Sequence, residues 1–396
     1  MPPAKVVAAA LPMNHGLSVS GTVPVCLDAA IDRVLAKVLR SLRDADADGD
    51  GDADAGPAVL DTLLVSDVLS SVLGVPVSQG AVDARAVRTG AYVGQLGRLL
   101  LSPGITQRTP EWYDARQTMV TASDIAQALG CAKFGSQKQF FQKKCGAPEE
   151  QSAFNAQLPP LKWGIMYEPV AAAVYTARTG ARLHEFGLLC HPSVVHLGAS
   201  PDGVTDAGVM VEIKCPWRRK ITGEVPLQYY YQMQGQLEVC GLDECDYAEF
   251  EFEEPFGGAD HALEEEEPTA RGVYLELYLE PGAGGAVPEC VYAPLGLPGD
   301  ELRAWATREA ALAAEAGKAV RQHWWRLEKF GIVRVLRDPE FVAGMLEKLA
   351  SVWERVLRYR GDRGAYLKEV GEVKPPTPRP KPEEGPVAFA FVEDEQ

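Results

Sequence analysis

The stretch Ser200-Pro-Asp-Gly-Val-Thr-Asp-Ala-Gly-Val-Met-Val-Glu-Ile-Lys-Cys-Pro216 constrains the fold more than any other part of the chain. A short apolar run at 196–200 leads into a Pro-Asp-Gly turn, and a second run at 209–214 follows it, so the pattern predicts a strand, a turn and a strand. A hairpin of this form brings Asp202 beside Glu212 and puts Lys214, two residues on, on the same face of its strand. Two carboxylates and an ammonium then converge. Adjacent carboxylates repel, and the pair is stable chiefly when a divalent cation neutralises it, while Lys214 can hold or deprotonate an attacking water. Such a set suits hydrolysis directed at phosphate. A Glu-x-Lys step is also what any solvated strand face can carry. Here Val211 and Ile213 are apolar, which puts Glu212 and Lys214 on the face opposite the buried one.

The surrounding sequence predicts an α/β (α+β) fold. Helices are expected at 111–117, 123–129 (opened by Thr121 or Ser123), 163–179 (ended by Gly180) and 226–240, and strands at 196–200, 209–214, 247–253 and 272–280. Helices at 301–330 and 339–359 would make the C-terminal part helical. Four segments follow: a poorly constrained extension over 1–100, a core over 105–255, an acidic insertion, strand and helical part over 256–370, and a Pro-rich linker with an aromatic-acidic tail over 371–396. Within the extension, 25–42 and 59–73 have helical spacing. Between them, 44–55 places Asp44, Asp46, Asp48 and Gly49 as a calcium loop would. Its twelfth position is Ala55, where such a loop needs a bidentate Glu, so an acidic linker is the better reading.

Composition excludes several classes. With 39 basic and 55 acidic residues among 396, the chain carries a formal charge of −16, which argues against a generic basic nucleic-acid coat. Distribution matters more than the total: residues 101–230 hold 13 basic and 11 acidic side chains, which leaves room for a local DNA surface. The eight cysteines form no CxxC pair, against a disulfide scaffold or a zinc ribbon. The sequence has no run of the roughly 20 apolar residues that a membrane span needs. The apolar run 6–13 is too short and too soon broken by Pro12 for a secretion signal. The expectation is a soluble intracellular protein, in nucleus or cytoplasm, with no membrane partner.

Six ordered blocks now carry a resemblance: Thr109-Pro-Glu-Trp-Tyr-Asp-Ala-Arg116, Val120-Thr-Ala-Ser123-Asp, Trp163-Gly-Ile-Met-Tyr-Glu168-Pro, Ser200-Pro-Asp202-Gly, Glu212-Ile-Lys214-Cys-Pro and Tyr231-Gln232-Met-Gln234-Gly-Gln236. Over about 108–252 the chain resembles the phage lambda exonuclease family, also called YqaJ-like viral recombinases, within the PD-(D/E)XK nuclease superfamily. A weaker resemblance runs on to Trp353 and is similar in style to members from large eukaryotic DNA viruses and algae. The resemblance implies a restriction-endonuclease-like core with a central mixed sheet flanked by helices. It implies that Asp202 and Glu212 ligate Mg2+, with Mn2+ able to substitute, helped by the Ile213 backbone carbonyl. Lys214 would orient the water, Glu168 would add a carboxylate, and Gln232 would approach from the next helix, with Gln236 one turn on. Arg116 and Ser123 match the family's pocket for a 5′-terminal phosphate.

The expected activity is therefore a metal-dependent DNA exonuclease that resects duplex ends from phosphorylated 5′ termini for recombination or repair. Double-stranded DNA ends, a strand-annealing or single-strand-binding protein and further copies of the chain are its expected partners. Two other readings stay open: an endonuclease or structure-specific repair nuclease with the same metal site, and a non-catalytic nuclease fold that binds a replication partner. Individual residues have alternatives too. Glu168 can be a helix surface glutamate, Arg116 can pair with Asp114 or Glu111, and Trp112 reads as core. His184, Cys190, His191 and His196 lack metal-ligand spacing, and Trp324-Trp325 reads as helix packing. Lys143-Lys144 and Arg218-Arg219-Lys220 are candidate phosphate-backbone contacts.

Overall fold

The computed structural model describes residues 79–102, 104–146, 159–279 and 289–371. The expected helices at 25–42 and 59–73, the acidic linker, the Pro-rich linker and the aromatic-acidic tail lie outside these residues. The described elements in chain order are α1 (Gln79–Leu101), α2 (Pro110–Gln117), β1 (Val120–Thr121), a 3-10 turn (Ala122–Asp124), α3 (Ile125–Ala128), α4 (Gln137–Cys145), α5 (Pro159–Thr179) and β2 (Leu183–His184). There follow β3 (Leu189–Cys190), β4 (Leu197–Ala199), β5 (Gly203–Thr205), β6 (Met210–Lys214), α6 (Leu227–Cys240) and β7 (Glu244–Glu253). The last are α7 (Ala259–Ala262), β8 (Arg271–Leu279), β9 (Glu289–Tyr292), α8 (Gly299–Glu315), β10 (Lys318–Leu336), α9 (Pro339–Gly361) and α10 (Arg363–Glu369). None of the described helices is long and apolar enough to cross a membrane.

Seven strands form a mixed sheet in the order β2-β5-β6-β7-β10-β8-β9, parallel only between β6 and β7. The β6–α6–β7 crossover between those two strands is the βαβ unit that parallel pairing requires. Side chains alternate along it. Val211, Ile213, Ala248, Phe250 and Phe252 face α5, whose Met166, Tyr167, Val170 and Val174 complete one core, while Met210, Cys245 and Tyr247 face α6, α9 and α4. Both faces are covered, which explains why the strands read as near-continuous apolar runs. A small sheet, β1-β4-β3, packs beside α6.

The structure corrects four expectations. First, the hairpin joins β5 to β6 through a turn at Asp206–Gly208, and Asp202 precedes β5, because 196–200 supplies β4 of the small sheet instead. Gly208 makes that turn at φ +76°, where an added Cβ would run into the Tyr92 backbone of α1. Second, Glu212 lies on no solvated face: it is completely buried under α6. Third, residues 79–101, assigned to the extension, form α1, whose Leu96 and Leu99 enter the main core and whose Gln95 donates to the Cys240 carbonyl at 2.5 Å. Fourth, the helix expected at 301–330 stops at Glu315. Gly317 (φ +72°) turns the chain, and the β-branched and aromatic residues beyond it form the 19-residue strand β10. Trp324 and Trp325 consequently sit on opposite faces of a strand, each buried in a different core cluster.

Candidate active site

Register assembles the first part of the site. Gly203 pairs with Val211 and Val204 with Met210, so Asp202 lies opposite Glu212 at the open end of the hairpin. Asp202 Oδ2 accepts the Ile213 N–H at 2.7 Å. Glu212 is held from both sides: Lys214 donates to Oε1, Gln232 Nε2 donates to Oε1 at 2.7 Å, and Gln236 Nε2 donates to Oε2 at 2.7 Å. Gln234, on another face of α6, instead clamps the start of α9 by donating to the Leu336 carbonyl and accepting the Asp338 N–H, both at 2.8 Å.

Glu168 approaches from α5 at the Glu168-Pro169 step, where proline removes one helical donor. Its carboxylate lies 3.6 Å from the Arg108 guanidinium. Burial first, then the Glu212 and Glu168 carboxylates, push Asp202 well above the ordinary aspartate range, against the opposing pull of Lys214 and the Ile213 N–H. Burial likewise raises Glu168, although Arg108 and Lys214 counter it. Burial alone would lower Lys214, but Glu212 and Asp202 outweigh it and hold the ammonium above the usual lysine range. The ammonium also lies 4.9 Å from the Tyr229 ring centroid. Negative charge at this end of the sheet is under-compensated.

The donor set fits a hard divalent cation. Magnesium typically takes one or two protein carboxylates and fills its remaining positions with water and substrate phosphate. Asp202 and Glu212 would supply two such carboxylates, with the Ile213 carbonyl as the expected backbone oxygen, and a cation would offset the repulsion that adds to burial in raising Asp202. Among the described residues no group of three or more His, Cys, Asp or Glu side chains is already gathered as a metal-ligand cluster.

The second part of the site lies on α2 and the 3-10 turn. Arg116 donates to Ser123 Oγ at 3.2 Å and lies 4.2 Å from the Trp112 ring centroid. No ion pair joins it to Glu111 or Asp114 among the described residues. Burial lowers Arg116 while Asp124 and Tyr113 oppose that. Beneath it Asp124 is gripped by Lys143 at 2.8 Å and Lys144 at 2.9 Å. Lys144 also donates to the Arg116 carbonyl at 2.5 Å. That corrects the expectation for Lys143-Lys144: Lys144 is buried and braces the pocket from inside. Gly235 of α6 lets this turn come close, since a Cβ there would meet Ile125 at 2.3 Å. One helix thus carries the glutamines that hold Glu212 and backs the turn that bears Ser123.

Trp112 joins the two parts, because its Nε1 donates to Ser200 Oγ at 3.3 Å, two residues before Asp202. Neither Ser200 nor Arg108 is apparent from sequence spacing, and the Trp112–Ser200 contact needs the fold. Of the basic triplet, Arg219 is paired with Glu249 and Lys220 with Glu251, while Arg218 stacks on Trp217 at 4.1 Å. Two of the histidines serve the fold: His191 Nδ1 accepts the Ser193 and Val194 N–H groups, and His196 stacks on Trp353.

Comparison with known proteins finds a domain match over the same part of the chain. Residues 111–243 match the YqaJ-like viral recombinase domain. An uncharacterized protein of Acanthamoeba polyphaga mimivirus is 24% identical over 301 residues, 65% of this chain and 54% of that protein, so the chain spans about half the length of this relative. Among solved structures, an alkaline exonuclease from Laribacter hongkongensis is similar with a TM-score of 0.40 and 22% identity, covering 66% of this chain and 96% of that one. A phage-related exonuclease from Haemophilus somnus follows with a TM-score of 0.35 and 12% identity, covering 62% and 96%. Arg116, Ser123, Glu168, Asp202, Glu212, Lys214 and Gln232 all fall inside the segment that matches the YqaJ-like viral recombinase domain.

Proposed function

We propose that the protein is a deoxyribonuclease that degrades duplex DNA from its ends, taking the strand whose 5′ phosphate Arg116 and Ser123 hold. The observation that carries this is the pairing of Asp202 with Glu212 across the β5–β6 hairpin, with Lys214 on Glu212 and contact through Ser200 and Trp112 to the Arg116–Ser123 pair. A magnesium ion bound between the two carboxylates would polarise the scissile phosphate and lower the pKa of the attacking water. The chain's own groups do the rest. Gln232 and Gln236 fix both oxygens of Glu212, so its carboxylate is preorganised. Lys214 brings a positive charge to where negative charge develops on the phosphate. Arg116 grips a terminal phosphate with its planar fork, flattened against Trp112, and Ser123 adds a hydroxyl. A recognised end phosphate turns a general phosphodiesterase site into an end-processing one, and the exposed 3′ strand is what an annealing partner would use.

The test is cleavage of linear duplexes, labelled at one end and carrying a 5′ phosphate or a 5′ hydroxyl, beside a closed circle. Magnesium-dependent loss of the phosphorylated strand with the circle intact is expected. Nicking of the circle would replace this reading with an endonuclease, and no cleavage with any divalent ion would remove the enzyme altogether.

A further inference from the structure

Among the described residues Arg108 is the one non-glycine with a positive φ, at 66°. That left-handed conformation crowds an L-residue's Cβ, is rare outside Gly, Asn and Asp, and persists where the surroundings over-determine it. Both sides are pinned here. Ile105 bridges Leu188 through hydrogen bonds of 3.2 and 2.7 Å, and Gln107 donates to the Phe186 carbonyl at 2.9 Å. Beyond it Thr109 caps α2 by accepting the Trp112 N–H at 3.3 Å. Glycine or asparagine would make the same turn with less strain, yet the chain places a long cation there.

The turn delivers the guanidinium to Glu168 at 3.6 Å, with side-chain exposures of 42% and 37%. An ion pair that open to water is weak. Its guanidinium can exchange a carboxylate for a phosphate oxygen, which its fork geometry suits. Arg108 also stands directly before the cap of the helix that bears Arg116, so the chain entering that helix meets Glu168 while its last turn carries the terminal-phosphate pocket. We propose that Arg108 leaves Glu168 to bind a backbone phosphate of the DNA strand whose end Arg116 holds. This rests on the nuclease reading above.

The experiment is fluorescence anisotropy of the full chain with a 5′-phosphorylated duplex, calcium replacing magnesium, across a series of salt concentrations. One lost phosphate contact flattens the slope of log K against log salt by about 0.9, and that change is expected for Arg108→Gln together with about tenfold weaker binding at low salt. Arg108→Lys should recover most of the slope. Arg108→Gly removes the guanidinium and the strain together; it should show the same flattened slope while melting within a few degrees of wild type. In a Glu168→Gln background the loss from Arg108→Gln should persist, whereas a residue that serves only Glu168 would change nothing there. An unchanged slope in Arg108→Gln, in a wild type that binds and cleaves DNA, overturns this inference alone. A wild type that neither binds nor cleaves DNA overturns the nuclease reading and this inference with it.

Discussion

Two carboxylate clusters, each built around a buried glutamate, stand on the same sheet and differ in charge balance. At the start of β7, Glu244 accepts from Arg85 and Arg334, Arg334 Nε also donates to Asp246 at 2.6 Å, and Tyr175 donates to Asp246 at 2.7 Å. Two carboxylates there meet two buried guanidinium groups. Burial would raise Glu244, but the two arginines outweigh it and hold the carboxyl below the ordinary glutamate range. Around Asp202 three carboxylates share Lys214 and the half-exposed Arg108, and Asp202 is pushed up instead. Each holds a buried glutamate, Glu212 in one and Glu244 in the other. What separates them is balance: the chain neutralises the charge that holds its sheet together and leaves an excess of negative charge where a cation and a phosphate would come.

The largest effect should come from removing that excess. Asp202→Asn is expected to lower cleavage of the phosphorylated duplex by about a thousandfold or more, roughly 4 kcal/mol of transition-state stabilisation. Folding should not suffer. A raised folded-state pKa means that, without metal, the contribution of Asp202 to stability is fully present below the ordinary aspartate value of about 3.9 and is lost as pH rises through the folded value. Wild type should therefore melt below Asp202→Asn in EDTA at neutral pH, with the gap closing in acid, and magnesium should raise the melting temperature of wild type only. Equal melting curves with and without magnesium would contradict the under-compensated site.

The balanced cluster should behave in the opposite way. Glu244→Gln takes from Arg85 and Arg334 the carboxylate they share, although Arg334 keeps Asp246, and breaking a buried pair in this way costs about 3–5 kcal/mol. Chemical denaturation should register that loss while the activity of the folded fraction stays near wild type. The pH dependence has the other sign. Because the folded-state pKa is depressed, the contribution is fully present above the ordinary glutamate value of about 4.3 and disappears as pH falls through the folded value. A Glu244→Gln chain with unchanged stability would show that the arginines find other partners.

The contrast also marks what a reader of the sequence could see. Asp202, Glu212 and Lys214 are legible because a strand has a period of two, so the distance between Asp202 and Glu212 depends only on hairpin register. The same period misleads about Glu212, since alternation says which residues share a face and not whether a helix covers it. Lys144 reads as a phosphate contact because its burial is set by α9, whose Arg360 donates to the Lys144 carbonyl from 216 residues away. The alanine-rich residues of α8 extend a helical pattern that only Gly317 interrupts, and β10 gains its stability from β7 and β8 on either side rather than from local preference. Arg108 is silent in sequence because a strained φ is a product of both flanks being pinned.

The smallest expected effect tests whether the two parts of the site act together. Arg116 is partly buried against Trp112 and bonded to Ser123, so its head group is already oriented when a terminal phosphate arrives. A charge-assisted hydrogen-bonded contact of this kind is worth about 1.5–3 kcal/mol, which corresponds to roughly 10- to 150-fold in relative rate. Arg116→Ala should lose that factor on 5′-phosphorylated ends and little on 5′-hydroxyl ends, with the magnesium-dependent rise in melting temperature intact because Asp202 and Glu212 are untouched. Trp112→Phe keeps the stacking face but removes the Nε1 donor to Ser200. If the pocket and the carboxylates are coupled through that bond, the variant should keep its phosphate preference and lose kcat on both ends. If they are independent, it should cleave like wild type, and the site is then two neighbouring sites with a shared wall.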